Sequence, residues 1–153
     1  MNPKETFFIL EIKEVQQRRQ GDVNGEAMAF FSPAIYNDTY EYKFGIRVYL
    51  NGVDNGSGRY VALFVHMMEG EHDDFLQWPF TGNITLSILD RSGAKNDISQ
   101  IVQATRNVSA FQRPREAICP KGCGFVKFAP IEQVFGPQYV KKDKLFVKIE
   151  FSD

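Results

Sequence analysis

From Glu41 to Leu50 the side chains alternate without a slip. Tyr42, Phe44, Ile46, Val48 and Leu50 fall on one face of an extended chain, and Lys43, Gly45, Arg47 and Tyr49 on the other. A two-residue period belongs to a pleated strand, because successive Cβ atoms leave opposite sides of the backbone. The apolar set is therefore core, and Arg47 and Tyr49 stand together on an outer face as an exposed guanidinium flanked by a phenol ring. Asn51-Gly52 through Gly58 follows, a stretch able to take positive φ and suited to a hairpin loop. Tyr60 to Met68 is then apolar on both faces, which predicts a central strand in a covered sheet.

The remaining segments repeat the pattern. Phe7 to Ile12 reads as a largely buried first strand, and Ala27 to Phe31 as a second that Ser32-Pro33 stops, since proline cannot donate to a ladder. Glu14 to Asn24 is polar, short and uncapped, and predicts no helix. Asn83 to Asp90 alternates again, with Ile84, Leu86 and Ile88 set against Thr85 and Ser87. Arg91 to Asn96 is a turn, and Asp97 to Gln103 reads as one helical turn capped by Asp97. Phe125 to Phe128 is a short strand, Ile131 to Phe135 a brief helix, and Lys144 to Phe151 a final alternating strand. Strands at this spacing, with turn chemistry between them, predict an all-β fold: an antiparallel β-sandwich of seven to eight strands with at most short helical turns.

A chain of 153 residues suits one domain spanning 1–153, with an ordered core over about 7–151. Hydrophobic content of 43% is a globular value, and a net charge of −1 leaves no basic footprint for nucleic acid. No apolar stretch approaches the roughly 20 residues that cross a bilayer, so membrane insertion is not expected. The start of the chain lacks the charged and apolar regions of a signal peptide, which predicts a reducing compartment. Asn37, Asn55, Asn83 and Asn107 each head an Asn-x-Ser/Thr sequence. Asparagine favours turns and Ser/Thr favours strand starts, which accounts for them without glycans.

Catalysis needs a nucleophile or base held beside a second group. His66 lies inside a strand pattern, where a hydrogen-bonded structural histidine is expected, and His72 lies in an acidic turn. Glu69, Glu71, Asp73 and Asp74 do not follow the spacing of a calcium loop and read as solvated turn charges. Cys119 and Cys123 have no spacing partners for zinc and read as reduced, partly buried thiols. Neither an enzyme nor a cofactor or metal site is expected. What remains is an edge that adds an extended peptide, where main-chain bonds give affinity and side-chain pockets give selectivity. Arg47 with Tyr49, the small-residue turn Ser109-Ala110-Phe111-Gln112-Arg113-Pro114, and Pro120-Lys121-Gly122-Cys123-Gly124-Phe125 are the segments whose chemistry fits.

Specific phrases also carry a likeness. Tyr42-Lys43-Phe44-Gly45-Ile46-Arg47-Val48-Tyr49-Leu50-Asn51-Gly52, then Leu63-Phe64-Val65-His66-Met67-Met68-Glu69-Gly70-Glu71, then Trp78-Pro79-Phe80 follow one another in order. With Gly82-Asn83-Ile84-Thr85-Leu86-Ser87-Ile88-Leu89-Asp90, Ala110-Phe111-Gln112-Arg113-Pro114 and Pro120-Lys121-Gly122, this order resembles the TRAF-C (MATH) β-sandwich of the tumour-necrosis-factor-receptor-associated factors. The phrases look closest to the sixth member of that family.

The resemblance implies a cytoplasmic signalling adaptor domain that binds receptor tails and adaptor or kinase peptides of the form Pro-x-Glu-x-x-(aromatic or acidic). By position, Arg47 would meet the last peptide residue, with Tyr49 beside it and Phe64 near the groove. The amides of Ser109 and Ala110, with Lys121, would receive the central Glu. Val102, Cys123 and Phe125 would line the proline pocket, next to Pro120, Gly122 and Gly124. Cys123 replaces an aromatic and Val102 a methionine, which makes that pocket shallower. The serine run of the second member's subgroup is here Val108, Ser109 and Ala110.

The resemblance further implies a homotrimeric parent, built on a coiled coil outside this chain, that carries RING-type ubiquitin-ligase modules. Two alternatives have different ligands. MATH domains joined to BTB domains take Ser/Thr-rich degrons, and the meprin sandwich is extracellular and glycosylated.

Overall fold

The computed structural model describes residues 6–20, 28–38 and 41–153. Among these, nine strands form two antiparallel sheets packed face to face. One sheet has the order β1 (Thr6–Lys13), β9 (Lys144–Ser152), β6 (Gly82–Ile88), β7 (Ile98–Ala104). The other has the order β2 (Phe30–Phe31), β4 (Lys43–Tyr49), β5 (Tyr60–Met68), β8 (Cys123–Pro130), with β3 (Ile35–Tyr36) also paired to β4. Two short helices, α1 (Val15–Gln20) and α2 (Ile131–Val134), close the ends.

The alternation along β4 produces the fold it predicts. Phe44, Ile46 and Val48 are buried and meet Met67, Val65 and Leu63 of β5 across the ladder. Leu86, Ile88, Val147 and Ile149 answer them from the opposite sheet. The second predicted strand is shorter than expected. Phe30 and Phe31 pair with Val48 and Arg47, and Ala27 lies outside the described residues. The chain breaks at Ser32-Pro33, where the Ser32 hydroxyl receives the Ile46 N–H at 2.8 Å, and pairing with β4 resumes at Ile35. Ser32 N also donates to the Ile46 carbonyl at 2.9 Å, so Ser32 meets both backbone groups of Ile46 before Pro33, which has no N–H, interrupts the ladder.

Four other expectations are corrected. β1 is not largely buried: Phe7 and Ile9 are 54% and 48% exposed, because β1 is an edge strand with one face in solvent. Residues 98–104 are strand β7, not a helical turn. Ile98, Ile101 and Val102 fit a pleat, β6 supplies a full ladder, and Asp97 Oδ1 instead accepts the Asp90 N–H at 2.7 Å. A helix does form after Glu14. Its first amides donate to Asp143, Val15 N to the carbonyl at 3.2 Å and Gln16 N to Oδ1 at 3.0 Å, so the cap comes from 127 residues away.

Asp73 is not a solvated turn charge. It is 5% exposed, with Oδ2 accepting the Gly70 N–H and its carbonyl accepting the Trp78 indole N–H, both at 3.0 Å.

The Trp78-Pro79-Phe80 step is a core device. Trp78 packs edge-on against Tyr42, and Phe80 against Tyr42 and Phe44, with ring centres 4.9–5.1 Å apart. The Tyr42 hydroxyl donates to the Gln77 carbonyl, and Phe80 N donates to Phe111 O at 2.9 Å. Edge-on aromatic contacts add to what their buried area contributes. This cluster therefore pins the chain between β5 and β6 to the segment that carries Ser109 and Ala110. Asn37 holds a turn by accepting the Tyr42 N–H at 3.0 Å and donating to Glu41 at 2.9 Å, in keeping with the turn chemistry expected of it.

Candidate functional site

β8 ends the five-stranded sheet, with β5 on its inner side and no further strand paired beyond it among the described residues. Cross-strand register decides what stands beside that edge. Arg47 pairs with Phe64, and Phe64 with Gly124, so the three lie in one row on the outer face. Tyr49, two residues along β4, shares that face. The Arg47 guanidinium carbon lies 4.6 Å from the Phe64 ring centre and 5.3 Å from that of Tyr49. The Tyr49 and Phe64 rings meet edge-on at 6.3 Å. Such a stack holds a cation over aromatic faces and prepays much of its rotamer freedom.

Arg47 is consequently not the fully exposed group expected of a surface arginine. It is half-buried, and its Nε is shut off from solvent with no hydrogen-bond partner among the described residues.

Gly124 is small for a reason. A Cβ there would sit 2.1 Å from the Leu63 carbonyl oxygen and 2.8 Å from the Phe64 Cα, so any side chain would push β8 off β5. The strand is also broken. Val61 pairs with Ala129 and Leu63 with Phe125, which leaves residues 126–128 opposite Ala62 alone. A bulge of this kind bends the edge and re-aims its side chains.

The inner face of the same strand is different. Cys123 and Phe125 pair with Val65 and Leu63, both core, and pack half-buried against the interior. Both cysteines are free thiols, and burial pushes the Cys123 thiol up from its ordinary value. Val102 belongs to β7, opposite Ile84, and is 3% exposed. As a lining residue it is corrected: its side chain is spent in the core and offers a ligand almost no surface. β7 and β8 meet at the open side of the sandwich, where the Gln100 amide donates to the Phe128 carbonyl at 3.3 Å.

Ser109 and Ala110 begin a single helical turn, Ser109–Phe111, in which Ala110 and Phe111 are buried and Ser109 is exposed. Their own amides donate to nothing among the described residues, as the first amides of a turn do. Pro120 and Lys121 are exposed, on the loop that leads into β8. The register thus brings Arg47, Tyr49, Phe64 and Gly124 together. It sets Cys123, Phe125 and Val102 on the far side of the sheet from them.

The sequence favours a hydrogen-bonded structural role for His66 over catalysis and does not show its neighbours. It shares the outer face with Phe64, is 4% exposed, and bonds through Nδ1 to the Cys119 carbonyl at 2.8 Å. Acidic residues 69–74 stand apart, where Asp74 pairs with Arg113 at 2.6 Å on the surface.

An antiparallel two-sheet sandwich with one small-residue edge defines the class of domain. Comparison with known proteins narrows it. The family model of the TRAF/meprin MATH domain matches residues 27–148. TNF receptor-associated factor 5 of Mus musculus is 36% identical over 144 residues, 93% of this chain and 26% of that protein. TNF receptor-associated factor 2 of Homo sapiens is 36% identical over 146 residues, 92% of this chain and 28% of that protein. TNF receptor-associated factor 6 of Cercocebus atys is 39% identical over 124 residues, 79% of this chain and 24% of that protein. The solved structure of Notothenia coriiceps TRAF5 superposes with a TM-score of 0.89 at 34% identity, covering 96% of this chain and 73% of that one. The chain belongs to the TRAF/meprin MATH family. It spans about a quarter of the length of those full-length relatives, and these identities do not single out the sixth member over the fifth or second.

Proposed function

We propose that this chain is the peptide-receiving domain of a cytoplasmic TRAF-type signalling adaptor and takes an extended Pro-x-Glu-x-x-(aromatic or acidic) segment along the free edge of β8. The observation that supports this most is the Arg47 stack, a half-buried guanidinium held over Phe64 and Tyr49 in register with Gly124. Arg47 meets the last aromatic or acidic residue of the peptide, by stacking or by a bidentate bond. Lys121 and the unused amides of Ser109 and Ala110 receive the central carboxylate. Cys123 and Phe125, with Pro120, Gly122 and Gly124 around them, flank the proline. Val102 backs that wall from the core.

The domain binds and does not catalyse. A short added strand buries little area and loses its own freedom, so a single domain binds weakly. A homotrimeric parent gathers three such edges against clustered receptor tails. RING-type ligase modules belong to that parent, outside this chain.

Calorimetry with a Pro-x-Glu-x-x-aromatic peptide tests the reading, with Arg47→Ala and Lys121→Glu as the paired variants. Binding that survives both changes unaltered overturns it. A peptide array in which Ser/Thr-rich degrons bind and Glu-centred peptides do not replaces the adaptor reading with a substrate-recognition module.

A further inference from the structure

His66 sits under the loop that carries Lys121, and its two ring nitrogens have unequal surroundings. Nδ1 faces the Cys119 carbonyl at 2.8 Å. A carbonyl only accepts, so Nδ1 carries the proton and Nε2 of the neutral ring is a bare lone pair. Nε2 is cut off from solvent and has no partner among the described residues. Gly122 lies directly against it: a Cβ there would stand 2.5 Å from Nε2 and 2.7 Å from Cε1. The ring thus bonds the residue that begins the loop, and the glycine near its end closes over the ring.

The charged groups around it share one sign. On β4, Lys43 and Arg47 flank Gly45, which lies opposite His66. The loop brings Lys121, and Cys119 and Cys123 are free thiols packed toward the core. On β5 the neighbours along the same face are Phe64 and Met68. No carboxylate stands among these residues to receive a second ring proton.

We infer that His66 is a positioning residue that clamps the Cys119–Cys123 loop through its neutral imidazole, and that a second ring proton releases the loop and weakens peptide capture. The peptide half of this rests on the reading of the β8 edge given above. Burial holds the imidazole below the ordinary histidine value; the Cys119 bond opposes that and the Arg47 cation adds to it. A histidine held low in the fold contributes stability above about 6.5, and that contribution is lost as pH falls through 6.5 toward the folded value.

The test follows the ring signals of both histidines and the amide signals of Lys121 to Gly124 by NMR from pH 7.5 to 5.0 without peptide. Calorimetry with the Pro-x-Glu-x-x-aromatic peptide is then run over the same range, in which its glutamate stays largely ionised. The loop amides are expected to move with the His66 midpoint, and affinity to fall roughly two- to tenfold by pH 5. His66→Asn keeps a donor near the Nδ1 position and cannot take a second proton. It is expected to bind at pH 7.5 and to give a flat profile, whereas His72→Gln keeps the wild-type profile. Gly122→Ala, which forces a methyl group onto Nε2, is expected to weaken binding several-fold at pH 7.5 with the fold intact.

Static loop amides, an acid loss that persists in His66→Asn or vanishes in His72→Gln, or unchanged binding by Gly122→Ala overturns the clamp. A loop transition with no peptide bound at any pH leaves the clamp standing and removes the peptide-edge reading.

Discussion

β1 and β8 each end a sheet, and they end it in opposite ways. β1 runs in unbroken register against β9 from Thr6 opposite Phe151 to Lys13 opposite Lys144. Its exposed Phe7 and Ile9 are set among charges: Lys148 Nζ lies 4.6 Å from the Phe7 ring centre, and Lys148–Glu150 and Lys144–Glu11 pairs stand at 3.2 and 3.1 Å. β8 begins with small residues, bulges opposite Ala62, and lies two strands from Arg47 of β4, a cation stacked on Phe64 of the intervening β5. Interspersed charge is how an edge discourages further pairing. Glycine and a bulge do the reverse, since they let another backbone come close. Two edges of one sandwich differ in regularity and side-chain volume, and the proposed peptide site lies at the bulged, small-residue one.

The sharpest way to break the comparison is Gly124→Val. Its first side-chain carbon would overlap the Leu63 carbonyl, so the variant is expected to lose about 2–4 kcal/mol in urea unfolding and all measurable peptide binding. Retention of both would mean β8 is as tolerant as β1.

Arg47→Ala comes next, with peptide affinity expected to fall tenfold or more, as for a central arginine anchor, while unfolding free energy changes by less than about 1 kcal/mol. Lys121→Glu is expected to lower affinity about three- to tenfold at low salt, and the gap should narrow in 0.5 M salt because an exposed charge is screened. Smallest is Ile9→Thr on β1, expected to leave stability within about 0.5 kcal/mol and peptide affinity unchanged. An affinity loss there would move the dock to the other sheet.

Much of the sandwich was legible because β4, β6 and β9 are amphipathic at a two-residue period, a property of neighbouring residues alone. The misses share a cause. Helix α1 takes its cap from Asp143, and β7 owes its ladder to β6. Each depends on a partner distant in sequence, which local pattern cannot supply. The same holds at the candidate site. Arg47 and Tyr49 share a face by simple alternation, but the stack of Arg47 on Phe64 needs the β4–β5 register. Val102 was placed in the pocket by the family resemblance alone, yet packing against the core leaves it 3% exposed.

By itself the order of residues determined the strand faces, the turns between them and the phrases that mark the family, because all three are written within a few residues of one another. Tertiary structure alone decided that β8 has no further strand beside it among the described residues, that Gly124 lies beside the Arg47 stack, and that the His66 ring is closed over by Gly122. Those relations depend on sheet order and register, and each joins segments that meet only after the chain has folded.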